Sequence, residues 1–97
     1  MLSRIHTAYF TYRLSDGYIK VENTYTRKSK DIKIPGRIKV ADTYNDVLHV
    51  ICMVDGVKHQ LEIQPKTMYS VRVFRTVGET GENEETEEVI KFSRNRS

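Results

Sequence analysis

Residues 48–63 read LHVICMVDGVKHQLEI. Two runs of strand-forming residues flank Asp55-Gly56, a pair suited to the positive φ angles of a two-residue hairpin turn. Counting outward from that turn sets Val54 against Val57, Cys52 against His59, Val50 against Leu61 and Leu48 against Ile63, so the two arms agree on which face is apolar. A slip of one residue would send the whole set to the other face, and the agreement therefore fixes both the hairpin and its register.

The pattern continues on both sides. After Pro65, Tyr69, Val71 and Val73 alternate with Ser70, Arg72 and Phe74, so residues 47–77 read as a three-stranded meander. Asp16-Gly17 marks a second hairpin, with Leu14 facing Ile19, Tyr12 facing Val21 and Ala8 facing Tyr25 on one side, and Arg13, Lys20, Thr11, Glu22, Tyr9 and Thr24 on the other. Between the hairpins, Ile32, Ile34, Ile38 and Val40 alternate with charged residues around Pro35-Gly36, which a kinked or edge strand accommodates. Asp42 to Asp46 reads as a polar turn.

These elements predict one mainly β domain over residues 1–97, a small antiparallel barrel or sandwich built from two hairpins and a meander. Residues 78–88 are expected to form an acidic flexible loop. Residues 84–94 have two readings. In one, Val89 to Phe92 return as a final strand beside residues 68–77. In the other they form a short C-terminal helix, with Asn83 as its cap, glutamates in its first turn and a Glu87–Lys91 pair four residues apart. The strand is the preferred reading.

Composition narrows the function. A chain of 97 residues with 38% hydrophobic and 30% charged residues belongs with globular proteins and supports one modest core. No apolar run is long enough to span a bilayer, and Arg4 and His6 fall where a signal peptide needs an apolar stretch. Cys52 is the only cysteine, which excludes an intramolecular disulfide and fits a reducing compartment. The expectation is a soluble cytoplasmic protein with no membrane partner. Its net charge of +3 is unevenly spread: Glu79, Glu82, Glu84, Glu85, Glu87 and Glu88 lie within ten residues, and setting them aside leaves +9. A field of that size attracts polyanions or acidic protein surfaces.

Catalytic chemistry finds little support. Cys52 beside His59 is the beginning of a nucleophile and base pair, but the same register places Glu62 opposite His49 on the other face, where it cannot orient His59. The pair reads instead as a buried cysteine at the rim of the core. His49 and His59 point to opposite faces and His6 belongs to another strand, so neither a metal nor any other cofactor is expected. Phosphate loops, dinucleotide fingerprints and serine elbows are absent from the sequence.

The positive signal is the basic stretch Arg27, Lys28, Lys30, Lys33, Arg37 and Lys39, opposed only by Asp31. Alternation sends Lys33, Arg37 and Lys39 away from the isoleucine face, as a row that could follow a phosphate backbone. Tyr9 and Tyr18 on the outer face of the first hairpin, and Tyr44 in the polar turn from Asp42 to Asp46, could stack on unpaired bases. The same features suit a protein contact, since tyrosine and arginine are favoured there and an exposed strand edge can accept a strand. The sequence therefore leads first to a non-enzymatic protein-interaction or assembly module (an inhibitor, adaptor or structural subunit, viral ones included) that binds another protein or itself. The alternative is a module that binds single-stranded nucleic acid through residues 27–39 and the exposed tyrosines.

Overall fold

The computed structural model describes residues 4–78 and 84–92, and among them the chain forms nine strands and no helix. They are β1 (Arg4–His6), β2 (Phe10–Ser15), β3 (Tyr18–Asn23), β4 (Ser29–Lys33), β5 (Ile38–Tyr44), β6 (Val47–Val54), β7 (Val57–Thr67), β8 (Ser70–Val77) and β9 (Glu84–Lys91). Strands β1 to β4 make one sheet and β5 to β9 a second, each in chain order and antiparallel throughout. The sheets enclose one core, in which Phe10, Tyr12, Ile19 and Val21 of the smaller sheet meet Leu48, Val50, Ile63, Val71 and Val73 of the larger. Of the two expected architectures, the chain adopts the sandwich.

The register expected around Asp55-Gly56 is present at every pair, and both turn residues have positive φ, 51° and 78°. The first hairpin keeps its expected register as well, although only Gly17 of its turn has a positive φ. Its ladder ends at Phe10↔Asn23, and Ala8 does not pair with Tyr25. Instead the chain bends before Phe10, and Tyr25 is exposed beside Tyr9, with ring centroids 6.2 Å apart. Tyr12 is fully buried at the centre of the same ribbon. Burial, helped by the Asp46 carboxylate, pushes its ionisation far above the ordinary range, so the phenol stays neutral.

Three expectations need correction. Residues 32–40 are not one kinked strand. Pro35 has no N–H to give to a ladder, and the chain leaves the smaller sheet after Lys33 to enter the larger one at Ile38. A bulge between Ile38 and Val40 then shifts the phase, so that Ala41 faces the core opposite Val50 while Val40 is turned outward, 46% exposed. The polar turn shrinks to Asn45-Asp46, both at positive φ, which these residue types tolerate; Tyr44 ends β5 opposite Val47 instead of sitting in a turn.

The third correction concerns the C-terminus. Glu84 to Glu88 are not part of a loop, and the helix reading of residues 84–94 gives way to β9, which pairs along β8 from Val77↔Glu84 to Ser70↔Lys91. Glutamate has low strand propensity, but β9 is an edge, where charged side chains are tolerated and discourage further pairing. Arg72 holds Glu87 across the ladder at 3.1 Å. Residues 79–83 and 93–97, including Asn83 and Arg94, lie outside the described residues.

Side chains and backbone tie the sheets together along the β4 side. The Thr26 hydroxyl donates to the Phe92 carbonyl at 3.0 Å, Arg75 Nη1 donates to the Lys33 carbonyl at 2.8 Å, and the Lys30 ammonium lies 5.9 Å from the centroid of the Phe92 ring. Fully buried Asn23 adds a further link, its Nδ2 donating to the Met68 carbonyl at 2.8 Å. The opposite side, between β1 and β5, has no such closure among the described residues.

Candidate site on the open side of the sandwich

Strands β1 and β5 are each one edge of their sheet, β4 and β9 being the others, and β1 and β5 flank a groove of about 1170 Å³. Its apolar wall comes from Ile5, Leu14, Ile38 and Ala41, partly buried side chains that pack against the core without being covered by it. Lys39, the extra residue of the β5 bulge, and Asp42 stand at its rim. The groove exceeds the roughly 300–1,000 Å³ of an ordinary small-molecule cleft, and its walls are strand edges. An edge strand presents N–H and C=O groups that lack a ladder partner, so the arrangement offers directional backbone hydrogen bonding beside an apolar surface.

The residues of the basic stretch are dispersed by the fold. Arg27 sits in a turn at φ 65° and pairs with Glu22 at 3.4 Å. Lys28 is half-buried, and Lys30 lies on the inward side of β4 opposite Val21, over the Phe92 ring. Lys33 is exposed on β4 opposite Tyr18, Arg37 pairs with Asp16 at 3.6 Å in the link between sheets, and Lys39 belongs to the larger sheet. The expected row of Lys33, Arg37 and Lys39 on one face does not form, because the link and the bulge separate them. Tyr18 is 41% and Tyr44 73% exposed, at distant points of the fold; Tyr9 is exposed next to Tyr25.

Sequence reasoning missed the cations that the fold does bring together. Arg4, Arg13 and Lys20 stand in one cross-strand row on the outer face of the smaller sheet, and Arg27 joins them around a concavity of about 450 Å³. The groove residues Ile5 and Leu14 carried no signal of their own, since an apolar position on an edge reads like any other core position.

Cys52 and His59 are opposed as expected, and both line a cleft of only about 50 Å³ beneath Pro35. The thiol is 2% exposed and donates to the Gly36 carbonyl at 4.0 Å. Burial pushes it up from its ordinary range, so it is held as the unreactive thiol at neutral pH. Glu62 reaches His49 at 3.3 Å on the other face. Alkylation of Cys52 by iodoacetamide at neutral pH is expected to be at least about tenfold slower in the folded protein than in urea, since only the accessible thiolate reacts. Equal rates would restore Cys52 as a candidate nucleophile.

No family model, curated protein or solved structure matches the chain. Among the described residues no cluster of three or more metal-ligating side chains occurs, and no helix is long and apolar enough to cross a membrane.

Proposed function

We propose that the protein is a non-enzymatic protein-interaction or assembly module that receives an extended segment of a partner protein along its open side. The observation that carries this reading is the apolar groove between two free strand edges. The seven-residue β5 provides the longer edge, enough to align a short strand by backbone hydrogen bonds, while Ile5, Leu14, Ile38 and Ala41 receive every second side chain. The segment that fits alternates apolar residues toward the groove with polar residues toward the rim, where Arg4, Lys39 and Asp42 stand.

The test is selection of random displayed peptides against the wild type, with the Ala41→Arg variant as counter-target. Ala41 is an edge position that is only partly buried, so the variant fills the groove at modest cost to the fold. Peptides of alternating polarity that bind the wild type and not Ala41→Arg are the expected result. Peptides retained equally by both proteins, or none from repeated selection, would overturn the reading. If the wild type self-associates with rising concentration and Ala41→Arg does not, the segment comes from a second copy.

A further inference from the structure

The outer face of the smaller sheet has an arrangement that the fold does not require. In the cross-strand row Arg4↔Arg13↔Lys20, three like charges stand on three adjacent strands, each pair directly opposed. Neighbouring strands are only about 4.7–4.9 Å apart, and like charges so placed destabilise a sheet. Among the described residues none of the three is in an ion pair; the carboxylates on this face are Glu22, held by Arg27, and Asp31, which stands directly opposite Lys20 on β4 and leaves Arg4 and Arg13 facing cations only. The face is also concave, with a volume of about 450 Å³ over the row. On the same face of β3, two residues from Lys20, Tyr18 is 41% exposed, with Lys33 beside it.

The outer face of the larger sheet is different. There Asp42, His49, Glu62, Phe74 and Glu87 form one row, with His49 bound to Glu62 and Arg72 to Glu87. Lys58 and Lys66 also leave the larger sheet some free positive charge, but the row of three opposed cations belongs to the smaller sheet, on its cupped face.

We propose that this concave face binds single-stranded nucleic acid, with Arg4, Arg13 and Lys20 on successive backbone phosphates and Tyr18 stacked on a base. Phosphates relieve the repulsion within the row, which Asp31 opposes at Lys20 alone. The exposed ring favours an unpaired strand: a positively charged groove combined with an aromatic platform is how small β domains hold single strands, the cations following the backbone while the ring takes the face of a base. The site shares Arg4 of strand β1 with the groove, whereas Arg13, Lys20 and Tyr18 do not line the groove and distinguish the two.

The experiment is fluorescence anisotropy of labelled oligodeoxythymidylate and oligouridylate of about 16 nucleotides, the upper end of the usual site size for one such domain. Titrations at two salt concentrations compare the wild type with three variants: Arg13→Gln/Lys20→Gln, Tyr18→Ala, and Lys58→Gln/Lys66→Gln. The last pair makes the same charge change on the larger sheet. Arg13, Lys20 and Tyr18 are exposed, so these variants are expected to fold, and equal urea midpoints confirm it. The row variant is expected to bind at least about tenfold more weakly with a shallower salt dependence, by about one unit of slope per lost cation. Tyr18→Ala is expected to lose about five- to a hundredfold, and the control pair to stay within about threefold, the smaller effect of net charge alone. Equal losses from the control pair, no binding at low salt, or equally tight binding of anionic phosphatidylserine vesicles through the same residues would each overturn the proposal.

Discussion

Replacing Asn23 with alanine is expected to lower the stability of the domain by about 3 kcal/mol, a large fraction of what a small domain has in total. Asn23 is completely buried at the end of β3, and every polar atom of its side chain is used. Oδ1 accepts from the backbone N–H groups of Tyr25 at 2.9 Å and Thr26 at 2.8 Å, while Nδ2 reaches across the sandwich to the Met68 carbonyl. Alanine removes all three bonds at once. Each group left without its partner costs about 1–3 kcal/mol when water cannot replace it. Tyr25 and Met68 are exposed residues, so water can approach, which places each of the three near about 1 kcal/mol and their sum near about 3 kcal/mol. In urea denaturation the midpoint should fall while the slope is unchanged. A loss below about 1 kcal/mol would mean that these bonds do not join the sheets.

Phe92→Ala is expected to cost about 3–5 kcal/mol, the usual range for a phenylalanine removed from a core. The residue follows β9, and its ring is 1% exposed, packed edge-on against fully buried Phe10 with centroids 5.3 Å apart. Its backbone is held at both ends, the N–H by the Tyr69 carbonyl at 2.6 Å and the carbonyl by the Thr26 hydroxyl. Nothing around it can collapse easily into the space, because the neighbours on both sheets are themselves fixed. Phe92→Leu, which keeps most of the volume, should recover more than half of the loss. If alanine at this position left the urea midpoint unchanged, the last strand would not be closing the β4 side of the sandwich.

The sequence was legible where two strands share a tight turn, because apolar residues on both arms must coincide. Residues 10–23 and 48–63 satisfied that condition, and their registers could be counted from Asp16-Gly17 and Asp55-Gly56. Legibility failed where tertiary context overrode local pattern. Ile34 and Ile38 continue one alternation in the sequence, yet Pro35-Gly36 carries the chain from one sheet to the other, and nothing local distinguishes that from a kink. Glu84 to Glu88 resemble a loop because glutamate is a weak strand former, and only the presence of β8 with Arg72 makes them a strand.

The functional features were harder still. The same counting that set Tyr12 against Val21 also sets Phe10 against Asn23, which was the available sign that this asparagine turns inward. The basic residues 27–39 stood out because they are adjacent in the chain, whereas Arg4, Arg13 and Lys20 are separated by turns and meet only through strand pairing. Clusters built across strands are legible only after the register of every strand is known. The groove depends on something further removed, the lack of a strand between β1 and β5 among the described residues, which is a property of how the sheets stack.

Whether the open side between β1 and β5 receives a strand is read from amide hydrogen exchange of the wild type with and without a peptide selected as above. Slowed exchange is expected for β5 amides that point away from β6, with little change on the outer faces of either sheet. Protection that falls on an outer face and leaves β5 unaffected would contradict it.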